Sequence, residues 1–166
     1  NAKLVSVCDH NPKILKSGYE ELAEAVNDPD LIQFSDYDEM LKTDIDAVIV
    51  ATEAVYHVPV VKKAMEAGKH VISEKPVTMS CEALENMIAA SERCNRVFSV
   101  HQNRRWDCDF LAMKQIKESG ELGSIINIES RIHGSRGIPS DWRGEKEHGG
   151  GMVLDWGVHL IDQLLQ

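Results

Sequence analysis

The 166-residue sequence predicts an α/β fold built around a parallel sheet. Over residues 4–100, short apolar segments typical of strands alternate with longer segments of helical periodicity. Residues 46–51 form a compact apolar run with β-branched side chains, which favours a strand buried on both faces. Because a helix-length segment separates successive strands, we expect βαβ units with right-handed crossovers.

The first elements follow from local start and stop signals. A strand is predicted at residues 4–8, and Asn11 with Pro12 begins a helix predicted over 12–26. A short strand is predicted near residues 33–34. Asp36 and Glu39 have the spacing of a capping box, so a short helix is predicted near 36–42.

The next elements continue the alternation. The strand at 46–51 leads into a helix that ends at Gly68, where glycine supplies the stop. Ser80 is a candidate cap for the following helix. These elements are predicted as a helix at 55–67, a strand at 70–73, a helix at 80–94 and a strand at 97–100.

The pattern changes after His101. A helix is predicted at 107–119, followed by an alternating strand at 125–131 with one wetter face. Residues 134–151 are rich in glycine and charge and favour a loop, and a helix begins at Met152. We therefore divide the chain into two domains, residues 1–103 and 104–166.

Composition excludes several function classes. The net charge is −9 and basic residues do not cluster, so we expect no nucleic-acid partner. No apolar run approaches the roughly 20 residues of a membrane span, so we expect no membrane insertion. The four cysteines are scattered without a CxxC pair, which is typical of thiols in a reducing compartment. We expect a cytoplasmic protein.

Ligands of an open parallel sheet bind beyond the carboxyl ends of its strands. Asp9 follows the first strand, where a carboxylate either accepts hydrogen bonds from an adenosine ribose, favouring NAD over NADP, or caps a helix. The glycine fingerprint G-x-G-x-x-G that precedes such a strand is absent. Gly149, Gly150 and Gly151 are no substitute for it, although a glycine turn entering a helix can approach a ligand closely; the other interpretation is a flexible loop.

Two further strand ends lead to candidate side chains. Thr52 either contacts a cofactor or caps the next helix, and His57 in that helix is either a contact or a structural histidine. Lys75, between Glu74 and Pro76, is placed to donate a hydrogen bond to a substrate hydroxyl. Taken alone, such a lysine is also typical of a solvated surface.

Asp155 and His159 are four residues apart and share a helix face. His159 is a candidate proton acceptor for a substrate alcohol, and Asp155 is a candidate to hold or tune it. The same spacing suits metal ligands or a surface pair. No third ligand of comparable spacing stands out, so we expect no metal.

Four segments, in order, resemble the Gfo/Idh/MocA oxidoreductase family. They are DAVIVAT with His57 downstream, GKHVISEKP, VHQNRRW and GGGMVLDWGVHLIDQ. The resemblance implies a Rossmann-type parallel sheet that here lacks its first strand and glycine-rich turn. It implies that an α/β domain with a mostly antiparallel sheet follows, of which this chain holds the beginning, and it implies a homodimer or homotetramer.

The resemblance also implies roles for individual residues. Catalytic roles fall on Lys75, Asp155 and His159. Substrate contacts fall on Arg105, Trp142, Arg143 and His159. The implied cofactor contacts are Asp9, Ala51, Thr52, His57, Glu74, Lys75 and Arg104. One departure is that Glu53 and Ala54 stand where many members have Pro and Asn, which affects the nicotinamide side of the site.

The function implied is an NAD(P)-dependent oxidoreductase acting on a secondary alcohol of a sugar, cyclitol or polyol, with NAD favoured over NADP. Its substrate is therefore a small polyhydroxylated molecule. The alternatives are an NAD-assisted lyase or glycosidase of the same fold, or a non-catalytic binding or regulatory fragment. Without the glycine turn, the pyrophosphate loses its backbone N–H donors. We therefore expect these 166 residues alone to bind NAD weakly and to be inactive.

Overall fold

The computed structural model of the protein describes residues 2–134 and 141–166. Within these ranges, strands and helices alternate through the first region, and helices dominate the second. The elements are β1 (Ser6–Cys8), α1 (Pro12–Val26), β2 (Ile32–Phe34), α2 (Tyr37–Leu41), β3 (Ala47–Val50), α3 (Ala54–Glu66), β4 (His70–Ser73), α4 (Cys81–Cys94), β5 (Phe98–Val100), α5 (Cys108–Ser119) and α6 (Val158–Leu164).

Helix starts lie close to the predicted cap residues. The Asn11 side chain accepts from the backbone N–H of Lys13 at 3.0 Å, and the Ser80 hydroxyl accepts from that of Ala83 at 3.1 Å. Each cap satisfies a backbone donor that has no partner inside the helix. Asp36 caps α2 in the same way, but the Glu39 carboxylate pairs with Lys42 instead of completing a capping box.

All strand pairs in the described residues are parallel, which confirms the predicted α/β fold with a parallel sheet. β1 pairs with β2, with Ser6 opposite Ile32. β4 lies between β3 and β5, with Val48 opposite Val71. Because parallel strands run in one direction, the carboxyl ends of β3, β4 and β5 meet at one edge.

One apolar core supports both groups of strands. Helices α3 and α4 pack together over the β3–β4–β5 sheet, and Met65 and Met87 are fully buried between these elements. Met40 and Leu41 of α2 join the same cluster, against which Cys8 of β1 and Phe34 of β2 also pack. The core therefore holds the strand ends in fixed relative positions.

The prediction that the strand at 46–51 is buried on both faces is wrong. Val48 and Val50 are buried, whereas Ile49 between them is 67% exposed. Helices cover one face of this sheet in the described residues, and the side chains of a strand point alternately to its two faces. In this strand, a continuous run of apolar residues therefore does not mean that both faces are buried.

The predicted strand at 125–131 is also absent. Residues 125–134 have no regular structure, and Ile126 is 97% exposed. A strand is defined by its ladder partner, and no described segment pairs with this one. The mostly antiparallel sheet of the second region stays a prediction, and part of the predicted loop at 134–151 lies outside the described residues.

Helix α6 begins after a π-helical turn at Val153–Gly157, so the predicted helix from Met152 is present with an irregular first turn. Short 3-10 turns cover Asn103–Trp106, Trp142–Gly144 and Lys146–His148. In the residues that the structure describes, no helix is both long and apolar enough to cross a bilayer.

Candidate functional site

Three predicted positions lie at the shared carboxyl edge of β3, β4 and β5. Thr52 follows β3, and Glu74 and Lys75 follow β4. The backbone N–H of Glu74 donates to Val50 at 2.8 Å, and that of His101 donates to Ser73 at 2.8 Å. These bonds extend the ladders past the strand ends, so the turns that carry the candidate side chains stay together.

Lys75 is fixed by Asp155, which comes from the second region of the chain. Its Nζ lies 2.7 Å from Asp155 Oδ1 and 2.9 Å from the Asp155 backbone oxygen. The two side chains are 20% and 15% exposed. Asp155 lies within the π-helical turn, a feature frequent at functional sites. The ammonium group is therefore held in a defined position at the end of β4.

His159 is buried beside this pair, with 4% of its surface exposed. Its Nδ1 is buried and has no hydrogen-bond partner among the described residues. Burial, followed by the positive charges of Lys75 and Arg104, holds the pKa of His159 below its usual value, while Asp155 and Asp107 oppose this. A neutral imidazole with an unsatisfied nitrogen is a proton acceptor near neutral pH.

Of the two roles expected of Asp155, holding His159 or tuning it, only the second has support, since Asp155 raises the pKa of His159 against the larger effect of burial. The Asp155 carboxylate and carbonyl both accept from Lys75 Nζ, and no side-chain hydrogen bond joins Asp155 to His159. An aspartate accepts most strongly from a full positive charge, and the ammonium group supplies one. The two residues share a neighbourhood, as their spacing predicts, but Asp155 positions the lysine.

Glu74 is the acceptor of a second charged pair. Its carboxylate accepts from the Lys75 backbone N–H at 3.2 Å and lies 2.7 Å from His101 Nδ1. Partial burial raises the pKa of Glu74, but the hydrogen bonds from His101 and Lys75 and their charges outweigh it, so the pKa lies below its usual value. Glu74 is therefore ionised at neutral pH and orients the turn before Lys75.

The two arginines after β5 have different partners. The Arg104 guanidinium lies 4.3 Å from the centre of the Trp156 ring and 2.9 Å from the Asp107 carboxylate. Arg105 forms a two-pronged ion pair with Asp162 of α6 at 2.7 and 2.6 Å. Arg104 therefore lies in the neighbourhood of His159, whereas Arg105 links the turn after β5 to α6.

His57 is fully enclosed, with 1% exposure, and holds two turns of the backbone. Its Nδ1 lies 2.9 Å from the Pro76 carbonyl oxygen, and its Nε2 lies 2.9 Å from that of Thr52. The imidazole therefore spans the turns that follow β3 and β4. This geometry favours the structural interpretation of His57 over direct cofactor contact.

Ala51 and Thr52 remain accessible at the end of β3. The Thr52 hydroxyl donates to the Glu53 carbonyl at 3.3 Å and makes no helix cap, since the start of α3 has no side-chain cap bond. Asp9, at the end of β1, accepts from the Asn11 backbone N–H at 2.7 Å through Oδ1. Asp9 thus stabilises the turn before α1 with one oxygen engaged, but the side-chain cap of that helix comes from Asn11.

The glycine turn packs against the first region. A Cβ on Gly150 would meet the Arg143 carbonyl oxygen at 2.4 Å, so only glycine fits there. The turn is closed by the bond from the Gly151 N–H to the same oxygen at 2.7 Å. Trp142 stacks under the Arg143 guanidinium at 4.6 Å. This tight turn leads directly into the π-helical turn that carries Asp155.

A contact that the sequence did not indicate fastens this turn. His148 Nδ1 lies 2.9 Å from the carboxylate of Glu53, which directly precedes α3. Trp156, Asp107 and His101 are likewise additional members of the site. The one sequence signal for them was position: His101 and Trp156 lie inside segments that the resemblance rests on, and Asp107 directly follows one.

Among residues 2–134 and 141–166, no group of three or more histidine, cysteine, aspartate or glutamate side chains has the arrangement of a metal site. The four cysteines are free thiols.

Comparison with known proteins identifies relatives of both regions. Residues 1–102 match the family model described as an oxidoreductase family with an NAD-binding Rossmann fold, and residues 110–166 match the GFO/IDH/MocA C-terminal domain. An uncharacterised oxidoreductase of Schizosaccharomyces pombe is 41% identical over 138 residues, covering 81% of this chain and 38% of that protein.

Two further relatives carry more specific descriptions. The NADP-dependent scyllo-inositol 2-dehydrogenase of Bacillus subtilis is 34% identical, covering 87% of this chain and 37% of its own length. The solved structure of an NAD-binding protein from Listeria innocua has a TM-score of 0.80 and 41% identity, covering 96% of this chain and 53% of that one. The chain spans well under half the length of these curated relatives.

Proposed function

The chain belongs to the Gfo/Idh/MocA oxidoreductase family, and from that membership we propose that the whole protein is an NAD(P)-dependent oxidoreductase. Its substrate is a secondary alcohol of a sugar, cyclitol or related polyol. The observation that carries the proposal is the pairing of a fixed Lys75 ammonium with a buried His159 whose Nδ1 lacks a partner.

The residues present fit a nicotinamide dinucleotide. A buried nitrogen without a partner is costly unless a ligand or water satisfies it, and His159 Nδ1 is such an atom. Ala51, Thr52, Glu74 and Lys75 lie at one sheet edge, where this class of fold binds dinucleotides. When bound, the oxidised nicotinamide supplies the hydride acceptor.

Three side chains act on the substrate or on each other during the reaction. His159 accepts the hydroxyl proton at Nδ1 as the substrate carbon gives up its hydride and the C–O bond becomes a carbonyl. Lys75 donates a hydrogen bond to the substrate oxygen and stabilises the negative charge that develops there. Asp155 holds Lys75 from two oxygens, which keeps the ammonium group oriented before substrate arrives.

Replacing Lys75 by Met, or His159 by Ala, tests these roles in the full-length protein. General acid–base contributions are typically about 10²–10⁴-fold, so turnover should fall by that order, far more than the affinity for NAD. Turnover is read as NADH formed from a panel of sugars, cyclitols and polyols. The matched controls are Lys117→Met and His133→Ala, both at exposed positions outside the site.

Full activity in both site variants would overturn the assignment. A wild-type protein that converts substrate without accumulating NADH would favour instead the NAD-assisted lyase or glycosidase alternative. A wild-type protein that binds NAD but converts no substrate in the panel would favour the binding or regulatory alternative.

The cofactor preference rests on Asp9. Its carboxylate lies at the end of β1, where a negative charge accepts from ribose hydroxyls and repels a 2′-phosphate, so we propose NAD over NADP. One relative is NADP-dependent, so the preference needs its own test. Asp9→Asn should lower the ratio of kcat/KM for NAD to that for NADP; an unchanged ratio would show that Asp9 does not read the ribose.

The remaining expectations concern the surroundings of the site. The exposed apolar side chains of α5 and of residues 125–132 support assembly into a homodimer or homotetramer, since apolar patches of this kind are typical of interfaces. A cytoplasmic location and a small polyhydroxylated substrate stay predictions.

A further inference from the structure

Arg104 takes no part in the proton transfer described above, yet three contacts hold it in place. Its guanidinium stacks on the Trp156 ring at 4.3 Å and pairs with Asp107 at 2.9 Å. Its backbone oxygen accepts from Gln163 Nε2 of α6 at 2.9 Å. A long, flexible side chain held in this way is a positive charge of fixed position.

The same tryptophan contacts the proposed proton acceptor. The Trp156 and His159 rings lie 6.0 Å apart at an interplanar angle of 69°, an edge-to-face arrangement. Trp156 therefore packs against Arg104 and His159 at once. Gln163 lies one helical turn beyond His159 in α6. Helix α6 therefore carries His159 and also holds the backbone of Arg104.

We propose that Arg104 is a positioning residue for His159: through the Arg104–Trp156 stack it fixes the imidazole, and through its charge it selects the imidazole's protonation state. The proposal rests on the proposed function insofar as His159 serves there as a proton acceptor. It differs from the role that the family resemblance implied for Arg104, which was contact with the cofactor.

Each charged group around His159 shifts the pKa of its imidazole in a defined direction. Besides burial, Lys75 and Arg104 lower the pKa of His159, whereas Asp155 and Asp107 raise it. These four groups come from the turn after β4, the turn after β5 and the π-helical turn. Lys75 is paired with Asp155, and Arg104 with Asp107, so each pair contributes opposing effects. Removing one member leaves the other uncompensated.

Two substitutions at one ion pair therefore act in opposite directions. Arg104→Met removes a positive charge and leaves Asp107 unpaired, so the pKa of His159 should rise. Asp107→Asn removes the opposing negative charge while keeping the side-chain size, so the pKa of His159 should fall. A purely structural disturbance would open the site to water, reduce the cost of burying a charge, and raise the pKa in both variants.

The experiment is an NMR titration of the His159 ring in the full-length wild type and both variants, with thermal unfolding as a check on folding. Opposite shifts support the proposal. An unchanged titration in Arg104→Met, or upward shifts in both variants, would overturn it. His159→Ala identifies the resonance, because its signal disappears in that variant.

A kinetic readout tests the same proposal independently. The acidic limb of the kcat/KM profile should move to higher pH in Arg104→Met and to lower pH in Asp107→Asn, because the neutral imidazole is the active form. If His159→Ala retains full turnover, the proposed role of His159 as proton acceptor fails. The NMR titration still decides the role of Arg104 in that case, so the two failures are distinguishable.

Discussion

The region over residues 2–100 and the region over residues 104–166 are stabilised by different interactions. Every buried apolar side chain among the described residues lies between Leu31 and Ala90, and α5 and α6 contribute none. The second region is held to the first by charged contacts, chiefly Lys75 with Asp155 and Glu53 with His148. The first region should therefore respond to changes in side-chain volume, and the second to changes in charge.

The largest stability effect should come from the buried methionines of the first region. Met65→Ala removes a fully buried side chain of α3 and leaves a cavity, so the free energy of unfolding should fall by about 2–5 kcal/mol. The matched control is Met113→Ala in α5, where the side chain is 57% exposed. That substitution should alter the free energy of unfolding by no more than about 0.5 kcal/mol.

Urea denaturation of the two methionine variants gives the comparison. Similar losses at Met65 and Met113 would show that the second region is also stabilised by apolar burial, for example against a second copy of the chain. The contrast between the regions would then be lost.

A smaller effect on stability should follow from the loss of His57. His57→Ala removes the ring N–H that donates to the Thr52 or the Pro76 carbonyl, and leaving that buried carbonyl unsatisfied costs about 1–3 kcal/mol. Because the Pro76 turn carries Lys75, kcat/KM should also fall. His10→Ala, at an exposed position, is the control. Unchanged kcat/KM with lowered stability would show that His57 supports the fold without positioning Lys75.

The smallest effect concerns the contact between Glu53 and His148. The hydrogen bond from the His148 ring to the Glu53 carboxylate raises the pKa of His148, burial lowers it, and the charges of Glu53, Glu145 and Glu147 raise it further. Since the folded pKa is raised, the contact stabilises the docked glycine turn fully below the pKa of an unfolded histidine, about 6.5. That stabilisation is lost as the pH rises through the folded pKa.

Amide-exchange protection of residues 142–151 is the measurement for this contact. Protection should decrease in the wild type as the pH rises above neutrality, and Glu53→Gln should remove most of that dependence. The amides of α4 serve as the internal control, since their protection comes from the apolar core. A pH dependence that survives in Glu53→Gln would assign the docking of the turn to other contacts.

The elements of the first region were largely predictable because their signals are local. Helix boundaries depend on backbone groups within three residues of Asn11, Ser80 and Gly120. The residues next to each boundary are therefore enough to predict where the helix begins or ends. Two predictions were wrong for a physical reason that is not local. Ile49 is exposed because of what covers the other face of its sheet, and residues 125–131 form no strand because no described segment pairs with them.

The members of the candidate site divide in the same way. The sequence by itself determined that Lys75 follows a parallel strand, and that Asp155 and His159 share a helix face, because strand order and helical periodicity are properties of consecutive residues. Only the tertiary structure decided that Asp155 holds Lys75 across 80 positions of sequence, and that Trp156 lies between Arg104 and His159. Hydrogen bonds and ring contacts depend on distances of a few ångströms between segments, and those distances are set by the packing of the whole chain.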